Sequence, residues 1–77
     1  MSDLRDLQML VSLSRTRNFS RSALDCNISQ PAFSTRIRKL EERLNLPLVR
    51  RGNSFQGFTT EGEVVLKWAR KLLADEE

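Results

Sequence analysis

Gln30, Pro31, Ser34, Thr35 and Arg38 bring an amide, an apolar ring, two short hydroxyls and a guanidinium into nine residues. At about 100° per residue, Pro31, Thr35 and Arg38 share one side of a helix, with Ser34 and Lys39 on its shoulders. Such groups donate and accept hydrogen bonds and pair with anions, and a hydroxyl is a weak nucleophile unless a neighbouring base activates it. The rest of the composition agrees. There is no histidine and a single cysteine, so a Ser-His-Asp triad, a Cys-His pair and a structural zinc site of the usual Cys/His kind cannot be assembled. The carboxylate pairs Glu41/Glu42 and Glu76/Glu77 are sequence neighbours, which point in different directions on a helix. No catalytic residue, metal or cofactor is expected.

The elements that position this face are readable around it. Phe33, Ile37, Leu40 and Leu44 recur at i, i+4, i+7 and i+11 on the opposite side, a core stripe for a helix of about residues 30–44. Ser29 suits its N-cap and Pro31 its first turn. Upstream, a first helix is predicted at residues 4–14, capped by Asp3, with Leu4, Leu7, Leu10 and Val11 buried. A short second helix is predicted at residues 21–26, capped by Ser20 and anchored by Phe19. In it Ala23 allows close packing and Leu24 adds apolar bulk. Asn27 suits a left-handed helix end and Ile28 pins the turn. A turn this short forces a steep crossing, which is helix-turn-helix geometry. Downstream, Pro47 stops the helix, residues 48–51 read as a strand, residues 52–54 as a turn, and Phe55 or residues 57–59 as the returning strand, together a wing. Thr60 and Glu63 form a capping-box pattern opening a last helix of about 15 residues, in which Val64, Val65, Trp68, Ala69, Leu72 and Leu73 cover nearly half the circumference. That is more apolar surface than one neighbour needs, and it suggests a partner chain. The fold class is mostly α: a three-helix core, a two-stranded wing and a C-terminal helix.

Charge distribution says more than the net +3. Between Arg15 and Arg51 nine basic residues face three acidic ones, a local +6, while the two ends together carry −3. That is an electrostatic footprint for a polyanion. With 77 residues the chain is one small domain with no mass for a deep substrate pocket. No apolar run approaches the ~20 residues of a membrane span, the first ten residues lack the apolar core of a signal peptide, and one cysteine fits a reducing, cytoplasmic compartment.

The runs Phe19-Ser20-Arg21-Ser22-Ala23, Ile28-Ser29-Gln30-Pro31-Ala32-Phe33-Ser34 and Ile37-Arg38-Lys39-Leu40-Glu41 resemble the N-terminal DNA-binding domain of LysR-type transcriptional regulators. Residues 44–51 look like that family's wing entry, and residues 58–63 like the start of its linker helix. The resemblance covers essentially the whole chain. It implies a winged helix-turn-helix over residues 1–59 and a linker and dimerisation helix over residues 60–77. It also implies a C-terminal domain of two α/β lobes, absent from this chain, that would take a small-molecule effector. Cys26 stands where the family usually has Leu, Ser22 where Ala is common and Val49 where Phe is usual, while Arg50 takes an often acidic position. The wing tip, residues 52–57, has no Lys or Arg, which moves phosphate contact to Arg50 and Arg51.

The function expected is sequence-specific binding of double-stranded DNA by a homodimer, on dyad-symmetric operators that the family resemblance makes AT-rich. Helix 30–44 would enter the major groove and wing 48–58 would lie at the minor groove or its phosphates. Gln30 can bond adenine bidentately, Pro31 can meet a thymine methyl, and Ser34 and Thr35 can reach a base edge or phosphate. Arg38 can read guanine or clamp a phosphate. Ser20, Arg21 and Ser29 lie where helix starts suit phosphate, and Arg50 and Arg51 serve from the wing. Val65, Trp68, Ala69 and Leu72 are the expected dimer interface. The bland rival makes Arg38, Lys39 and Arg43 partners of Glu41 and Glu42 on a solvated face; Trp68 could stack on a ligand and Cys26 could sense redox state, against interface and core-filling roles. A protein-interaction winged helix without DNA would need an apolar or acidic recognition face, which this is not. A basic amphipathic membrane binder would need an apolar face left open.

Overall fold

Three caps decide where the later helices begin. The computed structural model describes residues 3–74, with side chains from Leu4 onward, and contains α1 (Asp3–Thr16), α2 (Phe19–Asp25), α3 (Gln30–Leu44), β1 (Val49–Arg51), β2 (Phe55–Phe58) and α4 (Thr60–Leu72). The cap expected at Asp3 lies outside the described side chains. Ser29 caps α3 as expected, its hydroxyl accepting from the Ala32 N–H at 3.2 Å, and Pro31 sits in the first turn. The other two caps fall earlier than the sequence pattern places them. Asn18, not Ser20, caps α2: its Oδ1 accepts from the Arg21 N–H at 2.9 Å, so Phe19 is already helical. Thr59, not Thr60, caps α4, accepting from the Gly62 N–H at 2.8 Å while its hydroxyl donates to the Pro47 carbonyl at 2.6 Å. The one hydroxyl of Thr59 therefore caps the helix and ties it to the preceding loop.

Asn27 (φ 60°) and Asn45 (φ 55°) close α2 and α3 in the left-handed conformation, which Asn tolerates better than most residues. The Ile28 N–H then donates to the Ala23 carbonyl, holding the short turn between the helices. β1 and β2 form an antiparallel ribbon pairing Val49 with Phe58 and Arg51 with Phe55, with a bulge between. This is the winged helix-turn-helix that the spacing predicts.

The core joins Leu10 and Val11 of α1, Phe33, Ile37 and Leu40 of α3, Leu48, Val49 and Phe58 of the wing, and Leu66 and Ala69 of α4. Met9 and Leu13 are also fully buried, whereas Leu4 is exposed. Helix α1 is flanked by α2, α3 and α4 together, so its buried surface is wider than a one-sided stripe. Leu24 is 76% exposed rather than filling space, and Leu44 stays partly open. Edge-to-face packing links Phe33 to Phe19, Phe19 to Phe55 and Phe55 to Phe58, a continuous aromatic chain from α3 to the wing.

Two close fits lock the elements. A Cβ on Gly62 would stand 2.0 Å from the Leu48 carbonyl oxygen, so only glycine lets α4 start this near the wing base. Asp6, on the side of α1 that the apolar pattern leaves polar, is 2% exposed. Its carboxylate accepts from Arg36 at 2.9 Å and from Arg43 at 2.6 Å. Ser22 is buried too: its hydroxyl meets Ser12 at 3.0 Å and Thr16 at 2.7 Å, so the hydroxyl at this position is bonded, not wasted.

Candidate nucleic-acid interface

Burial of Phe33, Ile37 and Leu40 turns the opposite side of α3 to solvent. Gln30, Pro31, Thr35 and Arg38 are exposed and Ser34 is half-exposed. The Gln30 amide donates to the Ser34 hydroxyl at 2.7 Å, a bond that holds the amide over the first turn and leaves its carbonyl available. Arg38 enters no ion pair with Glu42 or any other described residue. Arg43 is drawn to Asp6 instead. The solvated self-paired face is therefore not formed: the acid that α3 uses comes from α1, and it takes Arg36 and Arg43, leaving Arg38 and Lys39 outward.

The wing is fixed to α3 by one carboxylate. Glu41 Oε2 accepts from the backbone N–H groups of Leu48 and Val49 at 2.7 and 3.1 Å, and Oε1 accepts from Arg51 at 2.7 Å. Arg51 is expected from sequence to be the wing's leading phosphate cation; its charge is already engaged by Glu41. Arg50, its exposed neighbour, has no such partner. Strand alternation explains the difference, since successive side chains point to opposite faces. Ser20 and Arg21 are exposed on the first turn of α2. Arg17, which the sequence pattern assigns only to a connection, stands beside the wing with its guanidinium 5.2 Å above the Phe55 ring. Aromatic spacing gives no hint of it, because Phe55 is 38 residues away in the chain.

The four residues expected at a dimer interface separate into two groups. Trp68 (62% exposed) and Leu72 (69%) project outward, and Val65 is half-buried. Ala69 is fully buried within the chain; it belongs to the core beneath the exposed strip, because its small side chain is what lets α4 approach α1. Trp68, Leu72 and Val65 border an apolar groove completed by Leu7, Leu40 and Leu44. Among the described residues no group of three or more His, Cys, Asp or Glu could hold a metal ion, and no helix is long and apolar enough to cross a membrane. Cys26 is buried at the end of α2, its carbonyl accepting from Arg5.

A helix-turn-helix whose outward helix carries amide, hydroxyl and guanidinium groups, followed at once by a wing, has the make-up of a winged helix-turn-helix nucleic-acid-binding domain. The chain belongs to the family described as bacterial regulatory helix-turn-helix protein, lysR family, matching it over residues 4–63. It is 41% identical over 73 residues to the hydrogen peroxide-inducible genes activator of Haemophilus influenzae, a match covering 95% of this chain and 24% of that protein. It is 42% identical over 73 residues to the SDS degradation transcriptional activation protein of a Pseudomonas strain, again 95% and 24%. The chain thus spans about a quarter of the length of these relatives. Among solved structures it is similar to the BenM DBD in complex with catB site 1 DNA (TM-score 0.87, 33% identity, 96% of this chain and 80% of that one). It is similar also to Vibrio fischeri DarR in complex with DNA (TM-score 0.86, 33% identity, 96% and 25%).

Proposed function

We propose that this chain is the DNA-reading part of a dimeric transcription regulator. One observation carries the reading: the solvent face of α3 presents Gln30, Ser34, Thr35 and an Arg38 in no ion pair with any described residue, and Gln30 shares a cleft with the wing residues Asn53 and Ser54. Helix α3 enters the major groove. There Gln30 reads adenine, Pro31 meets a thymine methyl, and Ser34, Thr35 and Arg38 reach base edges or phosphates. Ser20, Arg21, Ser29 and Arg50 serve phosphates. Arg51 acts mainly by fixing the wing through Glu41, and reaches the backbone from that anchored position. Each bidentate base contact is worth about 1–3 kcal/mol of discrimination, while phosphate contacts supply affinity without sequence information. Likeness to the DNA-bound BenM DBD and DarR supports this docking.

The reader extends to residue 59, and α4 serves as the linker and dimerisation helix, with Val65, Trp68 and Leu72 meeting a second copy. Dimerisation places two readers on one duplex, and so calls for a dyad-symmetric, AT-rich operator. A small-molecule effector would act through a further domain, since this chain covers a quarter of its relatives. The protein is a binder rather than an enzyme, works without a cofactor, and acts in the cytoplasm, where its DNA is. Fluorescence anisotropy with a mixed-sequence duplex tests DNA binding. Affinity should fall by about a hundredfold or more between ~50 and ~200 mM salt, as several released counterions require. No binding at the lower salt would defeat the reading and leave a protein-interaction module in its place.

A further inference from the structure

The wing tip carries no cation of its own, and Arg51 at its base is held by Glu41. The structure supplies one from elsewhere. Arg17 lies in the turn between α1 and α2 with φ 56°, a left-handed conformation that side chains other than Gly and Asn adopt at a cost. Its backbone is fixed on both sides. The Arg17 N–H donates to the Leu13 carbonyl at 2.8 Å, and the Asn18 N–H donates to Thr16 Oγ1 at 3.2 Å. From this strained but fixed position the guanidinium lies 5.2 Å over the Phe55 ring of β2. Phe55 is itself braced edge-on by Phe19 and Phe58. A side chain at Gly57 would come within 3.8 Å of the same guanidinium. No described carboxylate pairs with Arg17. The cleft it borders is lined by Ser20 of α2, Gln30 at the start of α3, and Asn53 and Ser54 of the wing tip.

We propose that Arg17 is a DNA phosphate-binding residue that gives the wing the cation its tip lacks. The inference rests on the DNA-binding reading above. Three parts of the proposed interface meet at this cleft: the first turn of α2, the first residue of α3 and the wing tip. A phosphate tracking past them meets neutral hydroxyl and amide donors and one uncompensated guanidinium. Stacking on Phe55 fixes the plane of that guanidinium while leaving its N–H edge open, so little side-chain freedom is given up when phosphate binds. A backbone position suited to glycine is thereby occupied by arginine, and its conformational cost is offset when DNA is present.

The test compares wild type with Arg17→Gly, Arg17→Asn and Arg17→Lys on one selected duplex, reading affinity, salt slope and thermal midpoint. Gly and Asn both tolerate the left-handed backbone, so both variants should melt no lower than wild type. Both should bind several-fold more weakly. The slope of log K against log salt should become shallower by about 0.9 for each phosphate left without its cation, hence by about 1.8 for a dimer. Arg17→Lys should keep most of the slope. If wild type binds and the neutral variants match it in affinity and slope, the inference is overturned while the DNA reading stands. Weaker binding with an unchanged slope would likewise overturn it, assigning Arg17 to wing positioning alone. If wild type binds no duplex at low salt, both fall together.

Discussion

Gln30 is held by Ser34, and this bond gives the amide the defined orientation that the proposed adenine contact needs. Gln30→Ala should relax preference at one base position in each half-site, costing about 1–3 kcal/mol on the best sequence and little on others; anisotropy on single-base variants of a selected duplex checks this. Asp6 is the second residue on which much depends. It is the buried acid that receives both Arg36 and Arg43, so it fastens the recognition helix to α1. Asp6→Ala should destabilise the fold by about 1–3 kcal/mol in urea unfolding. That is less than breaking a wholly buried pair would cost, because both arginines are about one-third exposed and regain water. That Gln30, Pro31, Thr35 and Arg38 share the solvent face of α3 is legible from helical spacing. The burial of Asp6 is not: hydrophobic periodicity identifies what is apolar and buried, and a buried carboxylate appears only when the partners 30 and 37 residues away are placed beside it.

At the scale of elements, the order of three helices, a wing and a last helix follows from the period-3.6 stripes, the asparagine and proline stops and the Gly52-Asn53-Ser54 turn. The caps fall earlier because Asn18 and Thr59 each serve a second element, a role that local pattern does not encode: Thr59 bonds Pro47, and Asn18 follows the turn pinned by Thr16. Glu41 shows the same limit. In sequence it reads as a salt-bridge partner within the helix, whereas it accepts two wing N–H groups and Arg51. Close approach of α4 to the wing gives a sharp expectation. Gly62→Ala puts a methyl group against the Leu48 carbonyl, and the backbone must shift. A destabilisation of about 1–3 kcal/mol should appear as a lower urea midpoint, although alanine is the better helix former. Unchanged or raised stability would show that α4 packs on the wing more loosely than described.

For the whole molecule, two surfaces divide the work. The basic side, formed by α3, the first turn of α2 and the wing, is the one proposed to face DNA. The apolar groove under Trp68 and Leu72 is the one proposed to face a second copy. The excess of apolar residues on the last helix points to that second surface from sequence. Which of them remain outside depends on how α4 rolls onto α1, burying Leu66 and Ala69 and leaving Trp68 out. Trp68→Glu should weaken self-association at least about tenfold in sedimentation equilibrium, as removal of a central aromatic anchor does, while far-ultraviolet dichroism stays unchanged. Selection from a randomised duplex pool decides whether the α3 face reads sequence. The expected result is enrichment of two half-sites related by a dyad, abolished when Gln30 and Arg38 are both replaced by alanine. Recovery of the pool without any enriched sequence would contradict a sequence reader, leaving α3 as a surface for some other partner.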